Sequence, residues 1–181
     1  GKVDSTRKVE DLGVTLIEFK NGVRLNLKPT DFEAGRIRVS VRVGGGTLTL
    51  PPDRPGLELL ANVAFTTGGL GKHSVDELQR LLAGKTIGLG FGAQDDAFVL
   101  NGGTNREDLL LQLQLFCAYL TDPGYRPESL RQVHKAADQL YLRLAHTAEG
   151  PLRMEIGPLL ANGDPRFGLP AKDVLLGRSL E

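Results

Sequence analysis

The 181-residue sequence has one cysteine, three histidines, no surplus of either charge and no long apolar run. Each shortage excludes something. A lone Cys117 rules out an internal disulfide. Lys plus Arg and Asp plus Glu both number 22, so the clustered basic excess of a nucleic-acid binder is missing. No apolar stretch approaches the ~20 residues of a membrane span. No signal peptide opens the chain, and a domain cut from a longer precursor would lack one too. What remains is ordinary for a soluble globular protein: 40% hydrophobic and 24% charged residues. The length suits a single domain, 1–181, with a core that needs no staples. Nothing separates a periplasmic from a cytoplasmic setting.

The pattern of elements indicates an α+β fold. "VTLIEF" and "VRLNL" flank Asn21-Gly22, a hairpin signal because both residues tolerate positive φ. In "RIRVSVRV", Arg36, Arg38, Ser40 and Arg42 alternate with Ile37, Val39, Val41 and Val43, giving a strand with one wet face. "GLELLANVAFTTGG" (56–69) reads as an apolar helix with a glycine stop. Ser74 and Glu77 form a capping box for a short helix, and Thr104 with Glu107 suggests another. Between them, "TIGLGFGA" and "DAFVLNGG" read as two paired strands. Helices follow from Leu109 to Leu120, from Pro127 to Leu144, and from about Leu152 to Ala161. The expectation is a mostly antiparallel sheet with helices packed on one face. Ser179-Leu180-Glu181 reads as the start of a further helix, which suggests a fragment of a longer multi-domain chain.

No catalytic constellation is visible. "GGLGKHS" (68–74) departs from a phosphate loop, because His73 separates Lys72 from Ser74 and a helix precedes it. It reads instead as a helix stop joined to the next N-cap. A zinc site needs three or four converging ligands. His134 and Asp138 could touch one ion at i, i+4, but neither His73 nor His146 offers an evident third partner, so a solvated helix face is the reading. Cys117, among Leu113, Phe116 and Leu120, reads as a small core hydrophobe. Asp95-Asp96 reads as a turn between strands. The arginines of "RIRVSVRV" fit an anionic site or a wet sheet face equally well.

The order of these motifs, from about Val14 to the end, resembles a domain of the insulinase/pitrilysin (inverzincin) family of zinc peptidases. "LIEFKNGVRLNLKPT" is similar to the family's opening hairpin. "RVSVRVGGG" with "PPDRPGLELLANVAFTTGG" is similar to its metal-bearing strand, turn and helix. "SVDELQRLLAGKTIGLGFGAQDDAFVLNGGTNREDLLLQLQLFCAYLTDPGYRPESLRQ" is close to its middle section, and "GDPRFGLP" to a late loop.

Active members carry H-x-x-E-H on that helix, two zinc ligands and a general base. The resemblance puts the ligand positions on Leu59 and Val63, the base on Asn62, and the third ligand near Asp138 or Gln139. Leu and Val cannot coordinate zinc, and an amide is not basic. The resemblance therefore implies a domain with no catalytic residue, metal or other cofactor. It would support a homologous catalytic domain that holds zinc, in the same chain or in a sister subunit, and help to enclose unfolded peptide substrate. Such a substrate could add as a strand to an exposed sheet edge. Missing family elements would leave apolar surface open to the sister domain. The alternatives are a non-catalytic subunit of a two-chain peptidase, a structural homologue without protease function, as in respiratory-complex core subunits, or an enzyme with another site.

Overall fold

The structure, a computed structural model, describes residues 1–148 and 150–180. The chain divides into two compact units, Gly1–Arg36 and Ile37–Glu181.

The smaller unit is an antiparallel sheet of β1 (Val3–Val9), β2 (Val14–Phe19) and β3 (Arg24–Leu27), in that order. The hairpin forms where Asn21-Gly22 predicts it. Gly22 has φ 84°, its N–H donates to Phe19 O at 2.8 Å, and Asn21 Oδ1 accepts from the Val23 N–H at 3.3 Å. β1 is absent from the sequence-based expectation. Residues 3–8 are exposed and only Val9 is half-buried, so no alternating apolar face announces the strand.

In the larger unit, β4 (Ile37–Val43), β5 (Gly90–Ala93) and β6 (Phe98–Thr104) form a second antiparallel sheet, ordered β4-β6-β5. The α+β reading holds, with the strands shared between two three-stranded sheets. The helices are α1 (Leu57–Thr67), α2 (Val75–Leu81), α3 (Leu109–Thr121), α4 (Pro127–Ala145), α5 (Gly150–Leu160) and α6 (Lys172–Leu176). Val41 pairs with Leu100, and Leu100 with Phe91, so all three share a sheet face. That face packs with Phe65 of α1, Leu78 of α2 and Leu115, Phe116 and Tyr119 of α3. The rings of Phe65 and Phe91 lie 4.3 Å apart by centroid. Arg38, Ser40 and Arg42 take the exposed face, as their spacing predicts.

Polar side chains fix the glycine-rich connections. Gln112 is fully buried. Its Oε1 accepts from the Gly88 N–H at 3.0 Å, and its Nε2 donates to Gly88 O at 2.8 Å. One amide thus stands in for a strand partner, and the expected strand from Thr86 shortens to Gly90–Ala93. A Cβ on Gly102 would lie 2.5 Å from Gly88 O and 2.7 Å from Gln112 Nε2, so only glycine fits there. The Arg126 guanidinium donates to Gly68 O, to Leu70 O at 2.7 Å and to Gly71 O at 3.1 Å. It ties the loop after α1 to the start of α4.

Ser74 and Glu77 form the expected capping box. Thr104 and Glu107 do not. Thr104 is fully buried and closes the ladder opposite Ile37, so the sheet claims it. Asn105 Oδ1 accepts from the Asp108 N–H at 2.8 Å instead, and α3 begins at Leu109. Ser179 and Leu180 have no regular secondary structure, and Glu181 lies outside the described residues.

Arg126→Ala is expected to lower stability by about 2–3 kcal/mol, because carbonyls in a closed loop lose their donor. Arg126→Lys should recover only part of it, since a compact ammonium cannot span three carbonyls as the guanidinium fork does. Urea unfolding of the three chains checks this; equal midpoints would remove the clamp from the account.

Candidate functional site

Gly56 is the N-cap of α1, and its φ is 88°. A Cβ there would come within 2.9 Å of Pro170 and 3.1 Å of Leu175, so the helix entry needs glycine on two counts. The helix packs against both β5 and α4. Two apolar clusters line the helix pair. Leu60 and Ala64 meet Val133 of α4, with Val63 and Leu130 packed on them. Ala137 and Tyr141 of α4 meet Leu175 of α6, with Leu59 packed on them.

The two expected ligand positions, Leu59 and Val63, therefore each belong to a hydrophobic cluster at the helix pair. Complete burial of such a side chain contributes about 1.5–3 kcal/mol, and these half-buried ones supply part of that. Neither carries a lone pair for zinc, so the residues present do not fit the metal that the fold family implies. The positions near the expected third ligand are turned elsewhere. Asp138 pairs with Lys172 Nζ at 2.8 Å, and Gln139 is exposed. Among the described residues, no three of His, Cys, Asp and Glu form a group that could hold a metal ion.

Asn62, at the expected base position, has a structural tie instead. Its Oδ1 accepts from the Ala93 N–H at 2.7 Å. β5 is an edge strand, so the side chain occupies a main-chain donor that an added strand would use. Glu58, one turn earlier, has its carboxyl pushed up by burial and by the negative charge of Asp95, against a lowering hydrogen bond to Asn62. Sequence reasoning missed both roles, because they depend on β5 lying beside α1.

The other candidates separate in space. The loop at 68–74 turns the carbonyls of Gly68, Leu70 and Gly71 toward Arg126; oxygens in that arrangement do not cradle a phosphate, which needs N–H donors. Asp96 Oδ1 accepts from Arg42 Nη2 at 2.8 Å, and Gln94 Oε1 accepts from Arg42 Nη1 at 2.7 Å. The Asp95-Asp96 pair thus sits in the β5–β6 turn, as expected. His73 is exposed, and His146 Nδ1 lies 2.7 Å from Leu142 O. His134 Nε2 is buried without a hydrogen-bond partner, which departs from the solvated-face reading. Cys117 is also corrected: it is exposed. α3 is apolar on both sides, so helical spacing could not choose which stripe faces inward. Gln112, Leu115, Phe116 and Tyr119 take the core, and Leu110, Leu113, Cys117 and Leu120 lie outside.

No protein-family model and no curated protein sequence matches the chain. Solved structures do. The ferredoxin protease FusC, as an E83A mutant in complex with Arabidopsis ferredoxin, superposes with TM-score 0.77 at 18% identity over 99% of this chain. The periplasmic protease PqqL from Escherichia coli gives TM-score 0.77, 18% identity and the same 99% coverage. A peptidase M16 inactive domain from Pseudomonas fluorescens gives TM-score 0.73 at 17% identity over 87% of the chain. The chain spans 20% of each of the two proteases and 38% of the inactive-domain chain. It has the fold of an M16, insulinase/pitrilysin-type domain. No helix among the described residues is long and apolar enough to cross a membrane.

Asn62→Ala is expected to cost about 1–2 kcal/mol and to speed hydrogen exchange of the Ala93 amide, which loses its acceptor. Unchanged exchange at Ala93 would deny the tie. Glu58 gives a pH signature. Its folded-state pKa lies above the unfolded value, so the stability it adds is present below the unfolded value and lost as pH rises through the folded one. Glu58→Gln should therefore be more stable than the parent at pH 7, with the gap narrowing as pH falls through the carboxylate range. Denaturant titrations at several pH values check this, and a pH-independent gap would contradict it.

Proposed function

We propose that the chain is a proteolytically inactive peptidase-type domain that supports a homologous, zinc-bearing catalytic domain and helps to enclose unfolded peptide. The observation that carries this reading is the α1–α4 helix pair. Leu59 and Val63, which the family resemblance aligns with the metal ligands, pack in its apolar clusters, and Asn62 is engaged in holding β5. The fold likeness to whole proteases, of which the chain spans a fifth, supports a role inside a larger assembly. Likeness to an M16 inactive domain supports a role without chemistry. Fold alone does not assign activity; the side chains at the site do.

The catalytic partner sits in the same chain or in a sister subunit. In either case this domain's contribution is shape and contact. An unfolded peptide is bound largely through its main chain, which any sequence offers. Walls of inactive domains would confine such a peptide near the metal-bearing partner without cleaving it themselves.

The unmodified chain is expected to cleave no unfolded peptide. The triple variant Leu59→His, Asn62→Glu and Val63→His should also stay inactive, because the third ligand and the groups that orient all three are missing. The support role is tested by adding this domain to the metal-bearing part of its parent assembly. Association and faster peptide turnover are expected. Equal turnover with no association would sink the support role, and metal-dependent cleavage by the unmodified chain would overturn the inactive assignment.

A further inference from the structure

An edge strand presents unpaired N–H and C=O groups to which another strand can add. The sheet β4-β6-β5 has two edges. β4 carries Arg38 and Arg42 on its exposed face, the kind of side chain that blunts an edge. β5 reads GFGA, with no charge and no proline. A Cβ on Gly92 would meet nothing within 4 Å, and one on Gly90 only Asn101 O at 3.7 Å. Bare main chain on that face leaves room for a second backbone to come close.

Main-chain groups along a strand point alternately toward its neighbour and away from it. The Gln94 N–H donates to Ala97 O across the β5–β6 turn. The Ala93 N–H, one residue earlier, therefore points to the open edge, and Phe91 N–H and C=O share its direction. Asn62 Oδ1 accepts from that Ala93 N–H at 2.7 Å. A carboxamide has the chemistry of a peptide group, so the side chain takes the place of a carbonyl from an added strand.

Two features hold the side chain there. Leu60, Ala64 and Phe65 bury the inner face of α1, so the helix cannot roll away from β5. Glu58, one turn earlier, shares a side-chain hydrogen bond with Asn62. An ionised carboxylate only accepts, so Asn62 Nδ2 donates to it and Oδ1 is left for β5.

We propose that Asn62 is an edge guard: its carboxamide stands in for a strand partner and closes β5 to the addition of an extended peptide. An unfolded peptide beside this domain is then not captured at β5. The guard follows from the strand order and one hydrogen bond, and it does not depend on the support role.

The probe is a soluble peptide of alternating threonine and valine, flanked by lysines, added to the 181-residue chain. Amide chemical-shift mapping of the parent should show no saturable change at Gly90–Ala93. Asn62→Ala and Asn62→Leu, made separately, each remove the acceptor, and both residues suit a helix. Each folded variant should show saturable changes centred on β5. Its binding should be at least about tenfold tighter than any residual binding by the parent, the scale of one hydrogen bond freed from a competitor. The Ala93 amide, fast to exchange in the free variant, should be protected again by the peptide. The double variant Glu58→Gln with Asn62→Asp keeps an oxygen for the Ala93 N–H without a second carboxylate beside it, and should stay closed. Saturable changes at β5 in the parent would overturn the proposal without reference to the variants. So would a folded Asn62→Ala or Asn62→Leu that does not bind at β5, or equal binding by the double variant. Failure of both single variants to fold would make Asn62 a structural necessity instead of a guard, and would overturn it too.

Discussion

The packing of α1 against α4, through Leu60, Ala64 and Val133, is the contact on which the rest of the larger unit depends. α1 sits between β5 on one side and α4 on the other. Phe65 on the same helix reaches the main core under the sheet. Leu59 reaches the third cluster with Tyr141 and Leu175. One eleven-residue helix thus joins all three apolar clusters. A metal site at the same place would need polar ligands and room for an ion. The apolar contacts and a bound ion are mutually exclusive uses of one surface.

Burying so much of α1 leaves backbone groups in the adjoining loops to be satisfied. The chain meets this with long polar side chains that reach into glycine-rich segments. Gln112 serves Gly88, Arg126 serves Gly68, Leu70 and Gly71, and Arg166 donates to Leu48 O and Leu50 O while chelating Asp164. A buried carbonyl without a donor costs about 1–3 kcal/mol. These locks therefore stabilise connections whose glycines would otherwise leave them loose.

Much of this was legible in the sequence where the signal is local. The Asn21-Gly22 hairpin, the alternation of Ile37–Val43, the Ser74–Glu77 box and Pro127 at the start of α4 all formed as expected. Local signals failed where a distant element decides. Thr104 looks like a cap until the ladder with β4 claims it. Cys117 looks like core until the inner stripe of α3 is filled by Leu115, Phe116 and Tyr119. β1 carries no periodic signal, because almost all of it is exposed. At the candidate site, Leu59, Asn62 and Val63 were singled out through a family resemblance. Their contacts with α4, α6 and β5 come from tertiary packing, which no spacing along the chain encodes.

The most direct test is an anomalous difference map at the zinc edge, from crystals of this chain equilibrated with excess zinc. The account predicts no peak between α1 and α4, with Leu59 and Val63 packed in their apolar clusters and Asn62 still bonded to Ala93. A peak within coordination distance of α1 residues, at about 2.0–2.3 Å from nitrogen, oxygen or sulfur ligands, would contradict it.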